Sequence, residues 1–165
     1  MLQKLYAIGL AIGMAVHPEV DHSVNAERQV ARVVAGVVAQ WCRPDQTALG
    51  SCEKDAAGMM VTAYQEGQFC AGTGLCLRGD QGRSSSTFQV MGFTPEQTEL
   101  YDRDMVAAAR HAYVVMREGS KACPDEPLAP YCGGCNNRAA RRIAHARLEK
   151  IDELFATLLA VEGPK

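Results

Sequence analysis

Apolar residues recur at helical spacing in four stretches of the chain. Val30, Val33, Val34, Val37, Val38 and Trp41 form one stripe, and Ala56, Met59, Met60, Ala63 and Tyr64 a second. Tyr101, Met105, Ala108, Ala112 and Val115 form a third, and Ile143, Leu148, Ile151, Leu154, Phe155, Leu158 and Leu159 a fourth. The pattern predicts helices over about 25–40, 52–68, 95–118 and 137–160. The punctuation agrees. Ser23 or Asn25 can cap the first helix and Asn136 or Asn137 the last. Thr94-Pro95-Glu96-Gln97 combines a cap, a proline in the first helical position and a capping-box glutamine, and Gly119 is read as the stop.

Between the second and third helices lies the least regular part of the chain, dense in Gly, Ser and Cys. Leu75-Cys76-Leu77 is long enough for one strand between two turn-rich segments, so a small β-hairpin lobe is expected there. The fold class is therefore mainly α with a minor β element (α+β). At the other end, Lys4 precedes LYAIGLAIGMAV, an apolar run of signal-peptide length with Gly13-Met14-Ala15 as a small-residue cleavage site. Residues 1–22 read as a leader and 23–165 as one domain, the alternative being a buried amphipathic N-terminal segment.

Glu66 stands out at the end of the second helix. It follows Met59 by seven residues and Ala63 by three, so it shares their inward face. A carboxyl group ending an apolar face is partly desolvated, the setting in which it can serve as a general acid. Three short motifs then occur in order: Glu66-Gly67-Gln68-Phe69, Ser86-Thr87-Phe88-Gln89 and Tyr131-Cys132-Gly133-Gly134. Together they resemble the lysozyme-like superfamily, nearest to goose-type lysozymes and lytic transglycosylases, over roughly residues 52–147. The departures are Gly67 for the usual Ser, Ser86 for the first Gly of a Gly-Leu-Met-Gln-like motif, and Cys132 for an Asn.

The resemblance implies a lysozyme-like fold with the β lobe beside the catalytic helix. It also implies cleavage of the β-1,4 bond between N-acetylmuramic acid and N-acetylglucosamine in peptidoglycan, with Glu66 as the single general acid and base. The partners it implies are glycan strands, with no cofactor and no metal. Asp80 is the candidate second carboxylate, against an Asx-type turn role. Ser86, Gln89 and Tyr131 are the candidate substrate-binding residues, with a structural role for Gln89 and core packing for Tyr131 as the alternatives. His111, in the middle of the third helix, is read as packed or exposed rather than catalytic.

Composition narrows the picture. A 47% hydrophobic fraction in 165 residues excludes wholesale disorder, and a net charge of −2 does not suggest a nucleic-acid binder. Arg138, Arg141, Arg142, Arg147 and Lys150 read as a solvated basic helix face, with attraction to anionic cell wall as the alternative. No stretch is apolar enough to span a bilayer, and a monomer is expected. Seven cysteines favour an oxidising, extracytoplasmic setting: periplasmic, secreted or virion-associated. Cys42–Cys52 and Cys70–Cys76 are the pairs to test first, against seven buried thiols. Cys132 and Cys135 have the spacing of half a zinc knuckle, with Cys123 and His145 as conceivable further ligands. A non-catalytic cell-wall-binding module, or a Cys-rich zinc-binding interaction module, is thus the rival from another class.

Overall fold

The computed structural model describes residues 1–16, 24–67, 69, 84–129 and 131–162, and over these it is mainly helical. The helices are α1 (Leu2–Val16), α2 (Val24–Trp41), α3 (Cys52–Gly67), α4 (Pro95–Arg103), α5 (Met105–Ala122) and α6 (Arg138–Glu162). A minimal antiparallel ladder joins β1 (Ser84–Ser85) to β2 (Val90–Met91), with Ser84 opposite Met91 and Ser85 opposite Val90. The expected strand at Leu75–Leu77 lies outside the described residues, as do Asp80 and the pair Cys70 and Cys76.

Helix α3 is the axis of the molecule. Every residue from Asp55 to Ala63 is buried, because α1, α2, α5 and α6 all pack against it. Its small residues allow that crowding. A Cβ at Gly58 would sit 2.5 Å from Leu49 Cδ1 and 3.6 Å from Ile151 Cδ1, so α6 approaches α3 where no side chain intervenes. A helix enclosed on all sides has no wide polar face. Helix α1 contributes Leu5, Ile8 and Ile12 to the same core.

One buried carboxylate ties three segments together at the start of α3. Asp55 accepts hydrogen bonds from the Ala48 N–H (3.1 Å), the Leu49 N–H (2.8 Å) and the Tyr113 hydroxyl of α5 (2.8 Å). Burial raises its carboxyl above the usual aspartate range although these bonds oppose the shift. The Cys42–Cys52 disulfide, with Cα atoms 5.8 Å apart, closes the same loop and is one of the pairs named from the sequence.

Two helix assignments change. The predicted 95–118 helix is broken at Asp104, which ends α4 by donating its N–H to the Leu100 carbonyl. The Asp104 carboxylate then caps α5 by accepting from the Val106 and Ala107 N–H groups. Gly119 does not stop α5, which continues to Ala122. In α6 the buried stripe is Ala140, Ala144, Arg147, Ile151 and Leu154, whereas Ile143 is 48% exposed. Arg147 therefore lies in the middle of the packed face rather than on the solvated basic one.

Candidate functional site

Glu66 projects from the last turn of α3 into a cleft of about 680 Å³. Ser84, Gln89, Val90 and Met91 of the β ladder form one wall, and His111 and Val115 of α5 another. Tyr131, Cys132 and Gly133 of the following loop and Ile143 and Arg147 of α6 complete it. Glu66, Gln89 and Tyr131 thus come from three separate segments and line one cleft.

The segment from Ser86 to Gln89 is folded onto the end of α3. The Thr87 hydroxyl donates to the Ala63 carbonyl at 3.1 Å, an oxygen that also accepts from the Phe69 N–H at 3.4 Å. Gly67 makes this closeness feasible. A Cβ there would lie 2.5 Å from both the Cα and the carbonyl oxygen of Thr87. The glycine that departs from the lysozyme-like pattern is therefore required by the path of the loop. Ser86 (φ 66°), Gln89 (φ 46°) and Phe69 (φ 56°) all have positive φ, so left-handed non-glycine residues gather around this helix end.

Ser86 does not line the cleft. It is buried, its hydroxyl accepts from the Phe88 N–H, and its carbonyl accepts from both the backbone and side-chain N–H groups of Gln89. Its hydroxyl and carbonyl oxygens shape the turn, and the residue is not among those lining the cleft. Phe88 is fully buried, as expected. The Tyr131 hydroxyl donates to the Phe88 carbonyl, linking the third motif to the second. Burial, followed by the Glu66 charge, pushes that hydroxyl well above the usual tyrosine range.

Sequence reasoning missed Arg147. Its Nη2 donates to Glu66 Oε1 at 2.5 Å, so the carboxylate expected to stand alone has a buried partner. Among the described residues, its Nε and Nη1 are buried without a hydrogen-bond partner. The signal was present: Arg147 follows Ala144 by three residues and precedes Ile151 by four. His111, set aside in the sequence, lines the cleft; its Nδ1 is 3.2 Å from the Tyr101 hydroxyl, and burial lowers its pKa.

Cys132 carries a free thiol in the cleft wall, raised in pKa by burial. Cys135 is bonded to Cys123, with Cα atoms 5.8 Å apart, which removes one thiolate of the half zinc knuckle and one of its conceivable further ligands. No family model, curated protein or solved structure matches this chain.

Proposed function

We propose that the protein is a peptidoglycan-cleaving glycosidase of lysozyme-like fold, a muramidase or lytic transglycosylase acting on the N-acetylmuramic acid–N-acetylglucosamine β-1,4 bond. One observation carries the reading. Glu66, Gln89 and Tyr131, each drawn from a separate motif of the resemblance, line the same cleft. In this reaction a protonated Glu66 gives its proton to the glycosidic oxygen as the C1–O bond breaks and positive charge develops at the anomeric centre. The resulting carboxylate then takes a proton from the 6-hydroxyl of the same sugar, closing an anhydro ring, or from water. Arg147 holds Oε1 and so fixes the position of the carboxyl group in the cleft.

The same ion pair favours a second reading, a non-catalytic cell-wall-binding module in which Glu66 serves only to anchor α6. Digestion of purified peptidoglycan, followed by mass spectrometry of the soluble products, separates the alternatives. Anhydro-muropeptides identify a transglycosylase, reducing ends a hydrolase, and no soluble product a binder. Glu66→Gln should lower cleavage by about 10²–10⁴-fold while the protein stays folded. Wild-type rates in that variant would exclude Glu66 as the acid.

A further inference from the structure

Helix α6 begins with a charge pattern that works against it. Arg138, Arg141 and Arg142 all fall within its first five residues, and its first turn holds no acidic residue. The amide end of a helix carries positive partial charge, so three cations there oppose its dipole. They also oppose one another. Arg138 stands three residues before Arg141 and four before Arg142, the spacings at which like charges on a helix repel. Several exposed lysines elsewhere have acidic partners, as Lys4 has Glu53, Lys54 has Asp152 and Lys121 has Glu118. Among the described residues, no hydrogen bond or ion pair reaches the side chains of Arg138, Arg141 and Arg142.

The three arginines line one open groove of about 720 Å³, together with Glu126 and Asn136 of the preceding segment. The Cys123–Cys135 disulfide tethers that segment. The groove shares no lining residue with the Glu66 cleft. Its two acids are turned towards another group. His145 lies between them, with Nδ1 3.4 Å from Glu126 Oε1 and Nε2 3.4 Å from Glu149 Oε1. The arginine end of the groove is therefore the end without countercharge. A helix start that breaks its local rules with no compensating contact is the mark of a site kept for a ligand.

We propose that this groove is a binding site for a small phosphorylated molecule, whose phosphate group is held by Arg138, Arg141 and Arg142. A guanidinium presents its N–H groups as a fixed fork that fits two oxygens. One fork satisfies a carboxylate, whereas a tetrahedral phosphate dianion has oxygens and charge for several. The positive stretch is also short. From Arg138 to Arg142 is about 6 Å of helix, and further along α6 come Glu149 and Asp152. A run of phosphates would meet those acids, so the stretch suits one phosphate group and not an extended polyanion. The volume falls in the range of about 300–1,000 Å³ usual for small-molecule sites, which leaves room for the rest of the ligand. The amide end of α6 adds to the same attraction. The site is independent of the glycan-cleaving reading.

The test compares wild type with a triple variant, Arg138→Gln, Arg141→Gln and Arg142→Gln, by thermal unfolding in glycerol phosphate, acetate or chloride at equal ionic strength. Glycerol phosphate should raise the wild-type Tm in a saturable way, and acetate and chloride should not. The variant should show no such rise. Without phosphate it should melt no lower than wild type, because the repulsion at the helix start is gone. In calorimetric titrations with glycerol phosphate, each single Arg→Gln change should weaken binding by about tenfold. Equal stabilisation by acetate, an equal rise in the triple variant, or no saturable rise in wild type overturns the proposal. So does a triple variant that melts lower without phosphate, since the arginines would then be stabilising the helix themselves. Tighter arginine-dependent binding to phosphatidylglycerol vesicles or to a single-stranded oligonucleotide than to glycerol phosphate overturns the small-molecule assignment.

Discussion

Removing the carboxylate of Asp55 should be among the most destabilising single changes in the chain. Asp55→Ala leaves the Ala48 N–H, the Leu49 N–H and the Tyr113 hydroxyl without their acceptor in a site where Asp55 is 0% exposed. Each abandoned buried donor costs about 1–3 kcal/mol. The lower half of that range gives about 3–6 kcal/mol for three donors, partly offset by no longer burying a carboxylate. Total stabilities are about 5–15 kcal/mol, so much of the margin would go. In a protein of this size the loss corresponds to a fall in Tm of about 6–24 °C. Tyr113→Phe removes one donor and leaves both backbone bonds in place, so about 1.5–3 kcal/mol is expected, the range for a hydrogen bond to a charged group. Urea titrations followed by circular dichroism would measure both variants and their double mutant. The singles should not add, because they share one interaction. A loss below about 1 kcal/mol for Asp55→Ala would refute the claim that this carboxylate ties the 48–49 loop and α5 to α3.

Reducing the Cys42–Cys52 and Cys123–Cys135 bridges, of sequence separation 10 and 12, should lower Tm on a thermal scan with and without reductant. On the chain-entropy account each loop is worth about 3 kcal/mol. Gly67→Ala should disorganise the cleft, since its Cβ meets the Thr87 backbone at 2.5 Å; chemical-shift changes should reach Gln89, and any cleavage activity should fall sharply. Burial depresses the His111 pKa, so protonation is easier in the unfolded chain and stability from this residue is lost as pH falls through 6.5. Asp55 acts with the opposite sign. Its raised folded pKa means that stability is gained as pH falls from that value towards 3.8. Comparing pH–stability curves of His111→Gln and Asp55→Asn with wild type would separate the two.

Much of the helical layout could be read from the chain because its signals are local. Thr94 and Pro95 start α4 as their sequence implies, although the Gln97 side chain accepts from the Phe93 N–H rather than from Thr94, and Glu66 lies in the last turn of α3 on a face shared with Met59 and Ala63. What could not be read depends on neighbours distant in sequence. An Asp within an apolar stripe gives no warning that it will cap one helix and end another, as Asp104 does. By charge alone Arg147 groups with Arg138, Arg141 and Arg142; its buried partner Glu66 lies 81 residues away. The Asp55–Tyr113 bond spans 58 residues and has no periodic signature. The left-handed turn at Ser86 was hidden for a related reason, since serine rarely adopts that conformation and glycine would have signalled it.

The close passage of Thr87 over Gly67 also bears on the routes by which this chain could change. In the lysozyme-like pattern a serine follows the acid and a glycine begins the later motif; here the two residue types are exchanged, at Gly67 and Ser86. The exchange is not symmetric. Introducing glycine at Ser86 relaxes a backbone already at φ 66°, at the loss of the bond its hydroxyl makes to Phe88, so that step is open. Introducing serine at Gly67 first drives a Cβ into the Thr87 backbone, so that step stays closed until the loop has moved. Any path between the two patterns therefore has a required order. The same serine would be harmful or acceptable at Gly67 according to whether the loop had retreated before it arrived.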